Sequence, residues 1–137
     1  MATKVRKVQY FYATVRGEPE EAFAVLTHFA GQGVNLLALN SVPMGPDSTQ
    51  FTLFPEEPSR LAETARAANL ALDGPHHALL VQGDDEIGAV SKVHSRLHQA
   101  GVEVYASNAV TDGRGHFGYV LYLRAADAER AAAALNV

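Results

Sequence analysis

The chain has 137 residues, 47% of them hydrophobic and 19% charged, enough for one ordinary domain or two very small ones with a genuine core. It has no cysteine, which excludes disulfide staples, thiolate metal sites and a thiol nucleophile. With 11 Lys and Arg against 15 Asp and Glu, the formal net charge of -4 argues against a nucleic-acid binder, and the basic cluster Lys4, Arg6 and Lys7 is too small to alter that.

In chain order, Phe11, Ala13 and Val15 alternate with Tyr10, Tyr12 and Thr14, so a strand is expected over Gln9 to Val15. Gly17 breaks it. Pro19 suits a first helical turn, with Glu18, Glu20 and Glu21 at the positive end of the macrodipole, and Ala22, Val25, Leu26 and Phe29 form one apolar stripe. Gly31 and Gly33 end that helix. Strands are expected over Leu36 to Val42 and Thr49 to Phe54, then a helix capped by Ser59 and running to about Ala68. A short strand at Leu70 to Leu72 and a turn at Asp73-Gly74-Pro75 follow. The remainder reads as a strand (His77 to Gln82), a helix (Ile87 to Ala100), strands (Val102 to Val110 and Phe117 to Leu123) and an alanine-rich helix capped by Asp127. The basic start has no cleavage site, and no apolar stretch nears the roughly 20 residues that span a bilayer, so a soluble cytoplasmic protein without a membrane partner is expected.

The chain contains a duplication. Gly33-Val34-Asn35-Leu36 and Gly101-Val102-Glu103-Val104 lie 68 positions apart, and the same offset pairs Val25 with Val93, Phe29 with Leu97, Asn40 with Asn108, Gly45 with Gly113 and Leu53 with Leu121. The expected domains are therefore repeats over 1–74 and 75–137, the second lacking its final strand. A sheet with helices on one face only leaves the other face open, so dimerisation is expected as well.

The βαββαβ alternation, the loop Asp85-Glu86-Ile87-Gly88-Ala89-Val90 opening a helix, and the Gly33-Val34-Asn35-Leu36 step resemble the ACT domain. The resemblance covers nearly the whole chain as two tandem copies. It implies an α+β fold of two ferredoxin-like ACT-type repeats, antiparallel sheets with helices on one face. It also implies a stand-alone, non-enzymatic regulatory module that needs no cofactor, binds a small amino acid or related metabolite at repeat interfaces and modulates a partner metabolic enzyme. The ligand-binding residues it implies are Asp84, Asp85, Glu86, Ile87 and Gly88 of the second copy with Asn35 and Leu36 of the first. Each copy carries half of the motif, since Glu20 stands where the second copy has Gly88, and Glu103 stands where the first has Asn35. A loop feeding a helix N-terminus suits a carboxylate, and side-chain acceptors suit an ammonium.

Alternatives from other classes are a ligand-free dimerisation scaffold and a small His-dependent metal-binding protein or enzyme. His94 and His98 have the i, i+4 spacing that could reach one ion, but His94 matches Leu26 on the apolar stripe, where a packed, hydrogen-bonded histidine is the commoner outcome. No metal site is assigned. No serine lies in a nucleophile-elbow context, so no catalytic residue is assigned either. Gly113-Arg114-Gly115-His116 reads as a hairpin loop, and His76-His77 as a linker.

Overall fold

The structure is a computed structural model that describes residues 3–136. Its elements are β1 (Lys4–Arg16), α1 (Pro19–Gly31), β2 (Leu36–Pro43), β3 (Ser48–Pro55), α2 (Pro58–Ala67), β4 (Asp73–Asp84), α3 (Ala89–Gln99), β5 (Val104–Thr111), β6 (His116–Leu123), a 3-10 turn (Ala125–Asp127) and α4 (Ala128–Ala134). The sequence strand, helix, strand, strand, helix thus occurs twice. Two compact units result, residues 9–76 and residues 77–136 joined by 3–8.

In the 9–76 unit, β3 pairs antiparallel with β1 (Phe11 opposite Leu53) and with β2 (Leu39 opposite Leu53). The period of two puts Phe11, Ala13, Phe51 and Leu53 on one face, where they bury against Ala22 and Phe29 of α1 and Leu61 and Ala65 of α2. In the 77–136 unit, β6 pairs antiparallel with β4 (Leu79 opposite Leu121) and with β5 (Ser107 opposite Leu121). Leu79, Val81, Tyr119 and Leu121 meet Val93 and Leu97 of α3 and Ala131 of α4 in the matching core. The helices therefore lie on one face of each antiparallel sheet, as the amphipathic spacing predicts. Phe29 and Leu97, which the 68-residue offset pairs, are both buried.

On the faces away from the helices, residues of β1, β3, β4 and β6 are buried as well. Tyr10 and Phe54 are about 1% exposed, with ring centroids 5.0 Å apart, and Leu80, Val120 and Tyr122 are buried too. Of the solvent-exposed large apolar residues, Tyr105 and Val110 lie on β5 and Leu39 and Val42 on β2.

Several element boundaries differ from expectation, each for a local reason. β1 starts at Lys4, because residues 3–8 join the 77–136 unit, where Val5 packs against the core and Lys7 Nζ donates to Glu129 Oε1 at 2.9 Å. Leu70 and Leu72 form no strand; they pack against the 9–76 core just ahead of β4, which starts at the Asp73-Gly74-Pro75 segment expected to turn. Proline is tolerated at a strand's start, and His76 and His77 consequently lie in β4 rather than in a linker. The residue before Pro58 is held extended, so Glu57 rather than Ser59 is the N-cap of α2. Asp127 does precede α4, although its side chain makes no capping bond.

The β5–β6 turn is a polar knot, as a plain hairpin loop should be. Asp112 Oδ1 accepts from the Arg114 N–H at 2.6 Å and the His116 N–H at 3.1 Å, and its Oδ2 lies 3.1 Å from His116 Nδ1. These bonds, the Arg114 N–H foremost, hold the Asp112 carboxyl below its ordinary value of 3.8. A depressed folded-state pKa stabilises above the unfolded value and loses that contribution as pH falls through the folded value. The Tm difference between the wild type and Asp112→Asn should accordingly be full above about pH 4 and shrink towards zero on further acidification, measured by thermal melts across pH.

Candidate functional site

β4 delivers the acidic loop. Asp84 lies opposite His116 in the ladder, and the Asp85 N–H then donates to the Gly115 carbonyl at 2.8 Å, fixing the loop to the neighbouring turn. Glu86 follows, its carbonyl accepting from the Ala89 N–H at 3.1 Å, and Ile87 stands fully exposed. Gly88 is the N-cap of α3 at φ +83°, a left-handed conformation that favours glycine, and a Cβ there would meet no atom within 4 Å. Among the described residues no side chain caps α3; the Ala89 N–H is taken by the Glu86 carbonyl, and the rest of the first turn presents backbone donors and a positive dipole end that suit an anion. Glu86 Oε1 accepts from Lys92 Nζ at 2.8 Å, a solvated ion pair of little stability value.

Beside this loop the 77–136 unit holds a cavity of about 470 Å³. Its polar rim includes Asp84, Glu86, Lys92 and Arg96, and its floor is Val5, Val81, Val93, Phe117 and Leu135. Ala89, Lys92, Val93 and Arg96 reach it together because i, i+3, i+4 and i+7 share one helix face. That spacing is visible in the sequence. The contributions of Thr3, Val5 and Asn136 are not, since they come from the two ends of the chain and no local pattern links them.

Of the expected ligand-binding residues, Asp84 and Glu86 line this cavity, whereas Asp85, Ile87 and Gly88 shape its loop. Asn35 and Leu36 belong to the other unit. There the Asn35 amide donates to Glu56 Oε2 at 3.0 Å, the Glu56 N–H donates back to the Asn35 carbonyl at 2.8 Å, and Leu36 packs on the core. Glu103 and Arg124, the partners of Asn35 and Glu56 at the 68-residue offset, make an ion pair at 3.3 Å. Both copies thus clasp the entry of one strand to the exit of the next with a polar pair. At the first copy's helix entry, the Glu21 carboxylate occupies the space beside Gly17 that a Cβ would need.

His94 is held by hydrogen bonding. Its Nε2 bonds the Tyr119 hydroxyl, which donates to Ser107 Oγ at 3.3 Å, and the His94 and Tyr119 rings lie 5.5 Å apart. His98 is exposed, and among the described residues no cluster of three or more His, Asp or Glu is arranged to hold a metal ion.

No protein-family model and no curated protein matches the chain by sequence. Solved structures do match it in shape. Protein BT0572 from Bacteroides thetaiotaomicron superposes with a TM-score of 0.81 at 14% identity, over 96% of this chain and 88% of that one. The ligand-free regulatory subunit of aspartate kinase from Thermus thermophilus gives 0.63 at 14% identity, over 99% and 95% of the two chains. The regulatory subunit of aspartate kinase from Thermus flavus gives 0.52 at 15% identity, again over 99% and 95%. At these identities the likeness is one of fold, and the fold is α+β of the ACT type with antiparallel sheets and helices on one face.

Proposed function

We propose that the chain is a non-enzymatic regulatory module that binds an amino acid or related metabolite at the β4–α3 loop and modulates a partner metabolic enzyme, acting as a homodimer. The observation that carries this reading is the juxtaposition of an uncapped helix entry, a left-handed glycine and a cavity rimmed by both charge signs. An α-carboxylate is suited to the N–H groups and cations, and an α-ammonium to Asp84 and Glu86. Several structures sharing the fold are regulatory subunits of aspartate kinase, which supports a regulatory rather than a catalytic role. Regulation would follow if the ligand binds one arrangement of the module better than another.

A ligand that binds only the folded state stabilises it by about 2.7 kcal/mol at a hundredfold excess over Kd, a rise in Tm of roughly 10 °C. Thermal shifts against the twenty amino acids should therefore show such a rise for one chemical class. Gly88→Glu should abolish it by placing a carboxylate at the helix entry, where it repels the ligand's own, while Gly88→Asn, which tolerates a left-handed backbone, should retain it. A panel flat for all twenty refutes the reading.

A further inference from the structure

We infer that the cavity beside α3 selects an α-amino acid with an apolar, uncharged side chain, an assignment that rests on the amino-acid reading of the β4–α3 loop. Among the described residues, two carboxylates, Asp84 and Glu86, and two cations, Lys92 and Arg96, face the same space, so their charges balance. A zwitterion preserves that balance. A side chain with its own charge would add an unpaired charge over an apolar floor, where desolvation penalises it.

The cations are not equivalent. Lys92 is engaged with Glu86 at 2.8 Å, whereas the Arg96 guanidinium makes no hydrogen bond or ion pair with any described residue, so its fork is available for two parallel bonds to a carboxylate. Carboxylates accept several donors at once, so Glu86 can keep Lys92 and still share in holding an ammonium with Asp84. Below the charged groups, Val5, Val81, Val93, Phe117 and Leu135 offer carbon to whatever the α-carbon carries, with Thr3 and Asn136 the uncharged polar side chains on the same lining. The volume of about 470 Å³ lies in the range of roughly 300–1,000 Å³ usual for small-molecule sites and accommodates a side chain as large as that of leucine or methionine.

The test is isothermal titration of the full chain with L-valine, L-leucine, L-isoleucine and L-methionine against L-lysine, L-aspartate and L-glutamate. Leucine's 2-oxo acid, which keeps the carboxylate and loses the ammonium, completes the set. The apolar amino acids are expected to bind at least about tenfold more tightly than the charged ones and than the 2-oxo acid. Arg96→Gln should weaken them about tenfold or more, while Arg66→Gln, an exposed arginine of α2 in the other unit, should change nothing. Preferential binding of a charged amino acid overturns the side-chain class and leaves the amino-acid reading standing. Equal binding of the 2-oxo acid overturns the role of the acidic rim, and undiminished binding by Arg96→Gln overturns the location. Silence across the whole set and the remaining amino acids overturns both this inference and the reading beneath it.

Discussion

Replacing Phe29 with alanine is expected to lower the unfolding free energy by about 3–5 kcal/mol, measured by chemical denaturation followed by circular dichroism. Phe29 closes the apolar stripe of α1 and is 1% exposed among Phe11, Phe51, Leu53 and Leu61. Removing its ring deletes buried area and leaves a cavity that the β1 and β3 backbones cannot readily close. Leu97, its counterpart 68 positions on, is fully buried in the other core, so Leu97→Ala should cost about 2–5 kcal/mol. Phe23, also on α1, is 51% exposed and touches the sheet only at its margin, with its ring 6.3 Å from that of Phe51. Phe23→Ala should cost about 1 kcal/mol or less. Domains of this kind are stable by only about 5–15 kcal/mol, so the contrast is large against the whole. Equal losses for Phe29→Ala and Phe23→Ala would contradict the assignment of the core.

The fold was legible wherever a periodicity ran for two turns or several residues. Ala22, Val25, Leu26 and Phe29 announce the buried face of α1, and Phe11, Ala13, Phe51 and Leu53 do the same for the sheet, because burial on one side imposes the period. The repeat was legible because two copies of one unit need the same residue character at the same place. What the pattern could not supply was the destination of residues 3–8. Val5 packs on the core cluster that includes Leu79 and Val81, more than seventy positions away in sequence, and a short strand carries no mark of which sheet it will join. The Asp73-Gly74-Pro75 segment misleads for a related reason, since turn-forming residues also serve at the start of a strand.

The candidate site divides in the same way. Asp84, Glu86 and Gly88 stand out because an acidic, glycine-containing loop entering a helix has a chemistry independent of the rest of the fold. Arg96 could have been read from its place one helical face above Lys92 and Val93, but an exposed arginine in the last turn of a helix looks like ordinary complementarity to the macrodipole. Asn35 has a structural partner as well. Its side chain, just ahead of β2, reaches Glu56, just after β3, and Glu103 and Arg124 make the corresponding pair in the other copy with different chemistry.

Substituting alanine for Gly74 should be among the most damaging single-methyl changes in the chain, at about 3 kcal/mol or more. Two independent terms combine. The backbone of Gly74 lies at φ +144°, a region that residues with a Cβ almost never occupy. A Cβ there would also sit 2.9 Å from Phe11 Cδ2 and 2.9 Å from the Tyr10 carbonyl oxygen, so both a buried ring and a strand backbone would have to move. Gly88 separates the two terms. It too has a positive φ, of +83°, but its Cβ position is open, so Gly88→Ala should carry only the conformational cost of about 1–2 kcal/mol. Chemical denaturation of the two variants beside the wild type measures the difference directly. If Gly74→Ala proves no worse than Gly88→Ala, the close approach of β1 and β4 at Tyr10 and Gly74 is not what demands glycine, and the backbone angle alone accounts for it.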